Sequence, residues 1–200
     1  MSTYIISDTH FFHDKDFMYK PRGFSDIKTH DETIIQNWNK TVSLDDEVYM
    51  LGDFCIGQNY KAMLETIRGL NGRIHIAIGN HDSDKKVETY LKSPNVVEAA
   101  LAYRLKFKSG SKHRTLYLSH YPTLTANYDD SIGMIVYNIH GHIHSPERFT
   151  EGHPYMYNTS CDALGCRPKL LDEIVMEMRD NLKAHRFVRG LEPNNANNEN

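Results

Sequence analysis

Five short segments of the sequence carry side chains of the kind that hold metal ions. They are Asp8-Thr9-His10, Gly52-Asp53, Gly79-Asn80-His81-Asp82, Ser119-His120 and Gly141-His142-Ile143-His144. Each follows an apolar, strand-like run. Asp8 and His10 are two residues apart, and in regular strand geometry both side chains point to one face, so both can reach one ion. Asp53 offers a carboxylate, whose two oxygens can join two cations, and Asn80 a neutral carbonyl oxygen. His120, His142 and His144 offer imidazole nitrogens, and the His142–His144 pair again shares a face. Glycines at 52, 79 and 141 remove side chains where the backbone must turn sharply close to an ion. Together these donors suffice for two divalent ions side by side, an arrangement that hydrolyses phosphate esters. With no thiolate among them, the set suits manganese, iron, zinc or nickel better than a structural Cys-zinc site and does not itself choose among these; manganese is taken as the first expectation, with magnesium also open.

Each segment alone has a plainer reading. A lone His-x-His is commonly surface decoration, a lone Gly-Asp is a turn, and Asn-His-Asp can be an Asx-type turn. Their joint occurrence, each after an apolar run, is what carries the metal reading.

The elements that must position these residues follow from periodicity. Tyr4 to Ile6, Val48 to Leu51 and Ile74 to Ile78 read as buried strands ending at the first three segments. Thr29-His30-Asp31-Glu32 has the form of a capping box, ahead of a helix with Ile34, Ile35, Trp38 and Val42 on one face. A second helix carries Tyr60, Met63, Leu64 and Ile67 and stops at Gly69. A short helix spans Asp84 to Leu91. From Leu101 to Lys108, apolar residues alternate with mostly basic ones, a strand with one solvated face. Ser109-Gly110-Ser111 turns it into a returning strand, Thr115 to Leu118. Met134 to Ile139 and Tyr155 to Thr159 read as further strands, and Leu170, Ile174, Val175 and Met178 as one face of a final helix. Strands and helices alternate early and strands adjoin later, which predicts an α/β protein with mixed sheets covered by helices. Ligands of open α/β sheets bind beyond the carboxyl ends of the strands, where all five segments fall.

Residues 1–188 read as one domain, and residues 189–200, rich in Asn, Pro and Glu, as a disordered tail. Phe11 to Ser25 forms a long polar and aromatic loop, of a length that is often functional. The formal net charge of −3 provides no global basic field for nucleic acid, but leaves a nucleotide-like substrate open. No apolar run approaches the ~18 residues of a membrane span. Asp8 and His10 interrupt the first apolar stretch, unlike a signal peptide. The three cysteines are an odd count, and Cys161 and Cys166 are spaced more widely than CxxC. They read as reduced structural thiols in a cytoplasmic protein. Among the histidines, His30, His113 and His185 read as surface residues, while His13 and His153 lie close to motifs.

The series D-x-H, GD, GNHD, H and GHxH over residues 4–144 resembles the calcineurin-like metallophosphoesterase superfamily. The stretch Asn158 to Asp162 followed by Arg167-Pro168, with Arg22 and Trp38-Asn39, is similar to a small bacterial and phage branch of it. The resemblance implies mixed β-sheets sandwiched together and flanked by α-helices. It implies that Asp8, His10 and His144 hold one ion, that Asn80, His120 and His142 hold the second, and that Asp53 bridges. It implies hydrolysis of phosphomonoesters or phosphodiesters by attack of a metal-bound hydroxide. His81 would then be no ligand but a catalytic group facing the substrate, as general acid or as a cation stabilising the transition state. His13, Arg22 and Arg167 are candidates for contacting phosphate oxygens, and arginine suits bidentate contacts. Tyr19, Phe24, Tyr121 and Tyr128 could stack a base.

Departures from the family narrow it. The segment Gly52 to Gly57 lacks the second Asp and the Arg of GDxVDRG, and GNHD stands in place of GNHE, so a Ser/Thr protein phosphatase is not expected. Two alternatives remain. One is a nuclease acting on DNA or RNA, with Arg104, Lys106, Lys108, Lys112 and Arg114 as one basic patch. The other is a non-catalytic scaffold of the same fold, which the complete ligand set and His81 disfavour. The expected partner is a small phosphorylated or nucleotide-like substrate, and no membrane is implied.

Overall fold

The computed structural model describes residues 1–109, 112–125 and 136–188. The expected tail, Tyr128, Met134 and most of the Ser109-Gly110-Ser111 turn lie outside the described residues. In chain order the elements are β1 (Thr3–Ile6), α1 (Asp16–Tyr19), α2 (Ile27–Thr41), β2 (Glu47–Met50), α3 (Tyr60–Arg68) and β3 (Arg73–Ala77). Then follow α4 (Asp84–Tyr90), β4 (Val96–Ala100), β5 (Ala102–Ser109), β6 (Lys112–Ser119) and β7 (Val136–His140). The chain continues through β8 (Phe149–Thr150), β9 (His153–Asn158), α5 (Cys161–Leu164), β10 (Lys169–Leu170) and α6 (Leu171–Val188).

Two five-stranded mixed sheets result, in the orders β10-β1-β2-β3-β4 and β5-β6-β7-β9-β8. Strands β1 to β4 are parallel, with β10 antiparallel at the edge. In the second sheet β6, β7 and β9 are parallel, and β5 and β8 are the antiparallel edges. Side-chain alternation explains the layering. Ile6, Val48, Met50, Ile74 and Ile76 join the core that contains Ile34 and Trp38 of α2 and Met63 and Ile67 of α3. Their alternates Ile5, Leu51 and Ala77 join the other core, with Leu116, Leu118, Tyr137 and Ile139 of the second sheet and Ile174, Val175 and Met178 of α6. One face of this parallel sheet is apolar, while the other also carries His75, which meets Glu47 at 2.6 Å and Glu98 at 2.9 Å.

The structure departs from expectation in three places outside the site. Helix α2 starts earlier than the capping box predicts: Asp26 caps it, accepting from the Thr29 N–H at 2.8 Å. An Asp three residues before Thr29 takes the orphan donor first. His30 is then a helical residue on the face of Ile34 and Trp38, and it is fully buried rather than on the surface. Third, the five basic residues of the β5–β6 hairpin do not form one patch. Arg104, Lys106 and Lys108 are exposed along one face of β5. Arg114 pairs with Phe107, which places it at a register position of the opposite face.

Candidate two-metal centre

The carboxyl ends of β1, β2, β3, β6, β7 and β9 meet at one place. Main-chain bonds join the two sheets there, from Ser7 N–H to the Thr159 carbonyl at 2.9 Å and from Cys161 N–H to the Ser7 carbonyl at 3.0 Å. All seven expected ligands converge at this end, but not by strand alternation. Strand β1 stops at Ile6 and β7 at His140, before the ligands begin. Asp8, His10, Asp53, His142 and His144 instead take left-handed backbone, with φ of 56°, 49°, 56°, 74° and 41°. Such a conformation costs a non-glycine residue roughly 1–2 kcal/mol, and its concentration at one end of the fold marks a functional site.

The donor atoms fall into two groups. In the first, His10 Nε2 lies 3.1 Å from His144 Nε2, and Asp8 Oδ1 lies 4.0 and 3.6 Å from those two nitrogens. In the second, Asn80 Oδ1 lies 2.8 Å from His120 Nε2 and 2.9 Å from His142 Nδ1, which are 3.1 Å apart. Asp53 Oδ2 borders both, 3.5 Å from His10 Nε2 and 3.6 Å from His120 Nε2. Donors bound at ~2.0–2.2 Å to a common ion stand about 3–3.6 Å apart. Most of these separations are of that size, so the residues fit two divalent cations.

The surrounding chain is built around these atoms. A Cβ at Gly79 would run into Asp53 Oδ1, and one at Gly141 into Asp8 Oδ2 and Ser7 Oγ. At Gly52, where φ is +85°, a Cβ would come within 2.6 Å of His120 Nδ1. His120 Nδ1 donates to the Leu51 carbonyl at 3.0 Å, which leaves the Nε2 lone pair facing the other donors of its group. The His81 N–H donates to Asp53 Oδ1 at 2.8 Å, keeping Oδ2 free to bridge.

Burial pushes the Asp8 carboxyl up to about 6, against the nearby imidazole of His144. Burial and then the neighbouring His144 hold His10 far below the usual imidazole range. For His144 burial acts downward, but the Asp162 hydrogen bond and the Asp8 charge outweigh it and raise the value.

Two carboxylates that the sequence did not single out complete the frame. Asp82 is buried and accepts from the N–H groups of Asp53 and Gly79 at 2.8 and 3.0 Å, tying the loops after β2 and β3 together. Asp162 accepts from His144 Nδ1 at 3.0 Å. Their signals were the last letter of GNHD and the Asp ending the Asn158–Asp162 stretch.

The candidates for substrate contact separate. His81 lies on the rim, about half exposed, with Nε2 4.0 Å from Asp53 Oδ2. His13 stacks on His10 at a ring separation of 5.3 Å and is half-buried. Arg22 is no open phosphate contact. Its buried guanidinium donates to both Asp162 oxygens at 3.1 and 2.8 Å and to the Asp8 carbonyl at 2.9 Å, and meets His30 Nε2 at 3.0 Å. Arg167 is exposed and lines a different cleft with Tyr4, Thr41 and Lys169, which contains none of the ligands. Tyr19 is buried and bonded to Asp16, Phe24 packs against His30, and the half-exposed Tyr121 meets the rings of both His120 and His142.

The sequence profile of the calcineurin-like phosphoesterase superfamily domain matches residues 1–159. An uncharacterised protein of Methanocaldococcus jannaschii is 30% identical over 182 residues, covering 86% of this chain and 88% of that one. The gene 66 protein of Mycobacterium phage L5 is 28% identical over 166 residues, covering 72% and 78%. A protein of unknown function from Aquifex aeolicus, AQ665, has the same fold, with a TM-score of 0.62 at 24% identity over 88% of this chain and 98% of that one.

Proposed function

The chain belongs to the calcineurin-like phosphoesterase superfamily, and from that premise we propose that it is a dinuclear metal-dependent hydrolase of phosphomonoesters or phosphodiesters. The observation that carries this reading is the position of Asp53 Oδ2, 3.5 Å from His10 Nε2 and 3.6 Å from His120 Nε2. One carboxylate oxygen serves both donor groups. Asp8, His10 and His144 would hold one cation with Asp53, and Asn80, His120 and His142 the other. Two such cations, when bound, polarise the phosphoryl group and lower the pKa of a water between them.

The chain's own residues do the rest. His81 holds a proton at the open rim and delivers it to the departing alkoxide, a task suited to an imidazole near neutral pH. Its main-chain N–H orients Asp53. His13, beside His10 on the rim, donates to a phosphate oxygen. Asp162 fixes the His144 ring so that Nε2 faces the ion, and Arg22 fixes Asp162. The oxygen-and-nitrogen donor set accepts manganese, iron, zinc, nickel or magnesium, and manganese is the ion we propose first. Three free thiols suit a reducing, cytoplasmic setting, and no helix among the described residues is long and apolar enough to cross a membrane.

The test is hydrolysis of p-nitrophenyl phosphate and bis-p-nitrophenyl phosphate with Mn²⁺, Ni²⁺, Zn²⁺ or Mg²⁺, beside His81→Ala. Metal-dependent turnover that drops by ~10²–10⁴ in the variant is expected. No turnover of either ester with any of the four ions overturns the reading.

A further inference from the structure

Cys161 opens α5 and Cys166 follows it by two residues, and the proposed mechanism uses neither. Gly165 and Cys166 both take left-handed backbone, with φ of 63° and 56°, and fold the chain back so that Cys166 N–H donates to the Cys161 carbonyl at 2.9 Å. That main-chain bond sets the two cysteines side by side. Both side chains are nearly buried, yet both line a cleft of ≈ 320 Å³ with Arg22, Phe24, His144 and Asp162. The third cysteine, Cys55, is fully buried and lines no part of that cleft.

We propose that Cys161 and Cys166 are a peroxide-oxidisable dithiol whose closure to a disulfide loosens the hold of Asp162 on His144. Three observations support it. The main-chain bond from Cys166 to Cys161 brings the two residues together and both line one cleft, so a cross-link needs no movement of distant chain. The neighbouring Cys161 side chain, with Arg22 nearby, holds the Cys166 thiol below its ordinary range despite burial, which favours the nucleophilic thiolate. Cys161 is also the residue next to Asp162, whose oxygen lies 3.0 Å from His144 Nδ1 and 2.8 Å from Arg22 Nη2. Strain placed on α5 is therefore passed directly to a first-group ligand.

The chemistry balances. The Cys166 thiolate attacks one oxygen of hydrogen peroxide, which is small enough for the cleft. The O–O bond breaks, the other oxygen leaves as hydroxide, and a sulfenic acid forms. The Cys161 thiol then attacks that sulfur, the S–S bond forms and water leaves. Two electrons pass from the sulfur pair to the peroxide, and a thiol reductant reverses the change. The effect on the ligand rests on the two-metal reading. The thiol chemistry does not.

The full chain is treated with hydrogen peroxide in slight excess, quenched with catalase, denatured and alkylated with N-ethylmaleimide, and its peptides are mapped by mass spectrometry. Alkylatable thiols should fall from three to one, Cys55, with a Cys161–Cys166 cross-linked peptide that dithiothreitol removes. In parallel, calorimetry with Mn²⁺ should show the tighter binding event weakened at least fivefold by oxidation and restored by dithiothreitol. Cys161→Ser and Cys166→Ser should bind Mn²⁺ like the untreated chain and lose the peroxide response. Three alkylatable thiols after treatment, or a cross-link that leaves Mn²⁺ binding unchanged, overturns the proposal. Binding of Mn²⁺ by neither form, with the cross-link present, would instead overturn the two-metal reading.

Discussion

The two halves of the site are held differently. The first donor group has a carboxylate of its own, the fully buried Asp8, and its His144 is backed by Asp162, which Arg22 in turn fixes. The second has the exposed neutral amide of Asn80, and its His120 is backed by the neutral Leu51 carbonyl. Asp53 is the carboxylate that borders the second group's donors and is shared with the first, while Asp8 also lies within 4.8 Å of His120. Charge attracts a cation most strongly where water is excluded. The first group should therefore fill at lower metal concentration. The second, more open, is where a substrate phosphate can complete the coordination.

The largest effect should come from the residue common to both halves. Asp53→Asn keeps the shape but removes the charge from each group. A loss of about 4 kcal/mol in transition-state stabilisation, roughly a thousandfold in kcat/KM, is expected for p-nitrophenyl esters. An activity within tenfold of the parent would show that Asp53 does not bridge.

Separating the halves comes next. Asp162→Asn should weaken the tighter calorimetric event by ~10–100-fold, as expected when the partner of a ligating histidine is removed. Asn80→Ala should weaken the looser event and spare the tighter one. If both variants perturb the same event, the division into two groups is wrong.

A smaller, graded effect is expected from pH. In the metal-free protein the Asp8 carboxyl titrates at about 6, above its ordinary 3.8 because it is buried. A carboxyl raised in the folded state favours the fold below 3.8, and that contribution is lost as pH rises through 6. A bound cation reverses the balance by stabilising the anion. The tighter binding should thus weaken as pH falls, first through the raised His144 imidazole and more steeply below about 6 as Asp8 also takes up a proton, with proton release read from calorimetry in two buffers. His10, already held neutral, adds little to that proton count. A pH-independent affinity between 5 and 7 would remove Asp8 from the ligands.

The smallest effect should follow neutralising Arg104, Lys106 and Lys108 together. Turnover of small esters should change less than twofold, since these side chains project into solvent along β5. Loss of single-stranded oligonucleotide cleavage in that variant would favour the nuclease alternative.

What the sequence showed and hid has a physical basis. The candidate donors were legible as a group because few side chains bind hard cations, and their order after apolar runs matched the parallel strand ends at which the structure brings them together. The three glycines were legible for the same reason: each stands where a Cβ would strike a ligand or a ligand's neighbour. The backbone route was not. Spacing of two suggested strand alternation, whereas the candidate donors Asp8, His10, His142 and His144 follow the strands in left-handed backbone. The supporting shell was hidden because its partners are distant in the chain. Arg22 meets Asp162 across 140 residues, and no local pattern distinguishes a loop arginine that reaches substrate from one that anchors a carboxylate. His30 was misread for a local reason, since the face of Ile34 and Trp38 continues one turn earlier than the capping box implied.

The most direct test is anomalous diffraction from crystals grown with Mn²⁺ and recorded near the manganese edge. Two peaks should appear on either side of Asp53 Oδ2, one among Asp8, His10 and His144 and the other among Asn80, His120 and His142. A single peak, or two peaks that do not share Asp53, would contradict a bridged two-metal site.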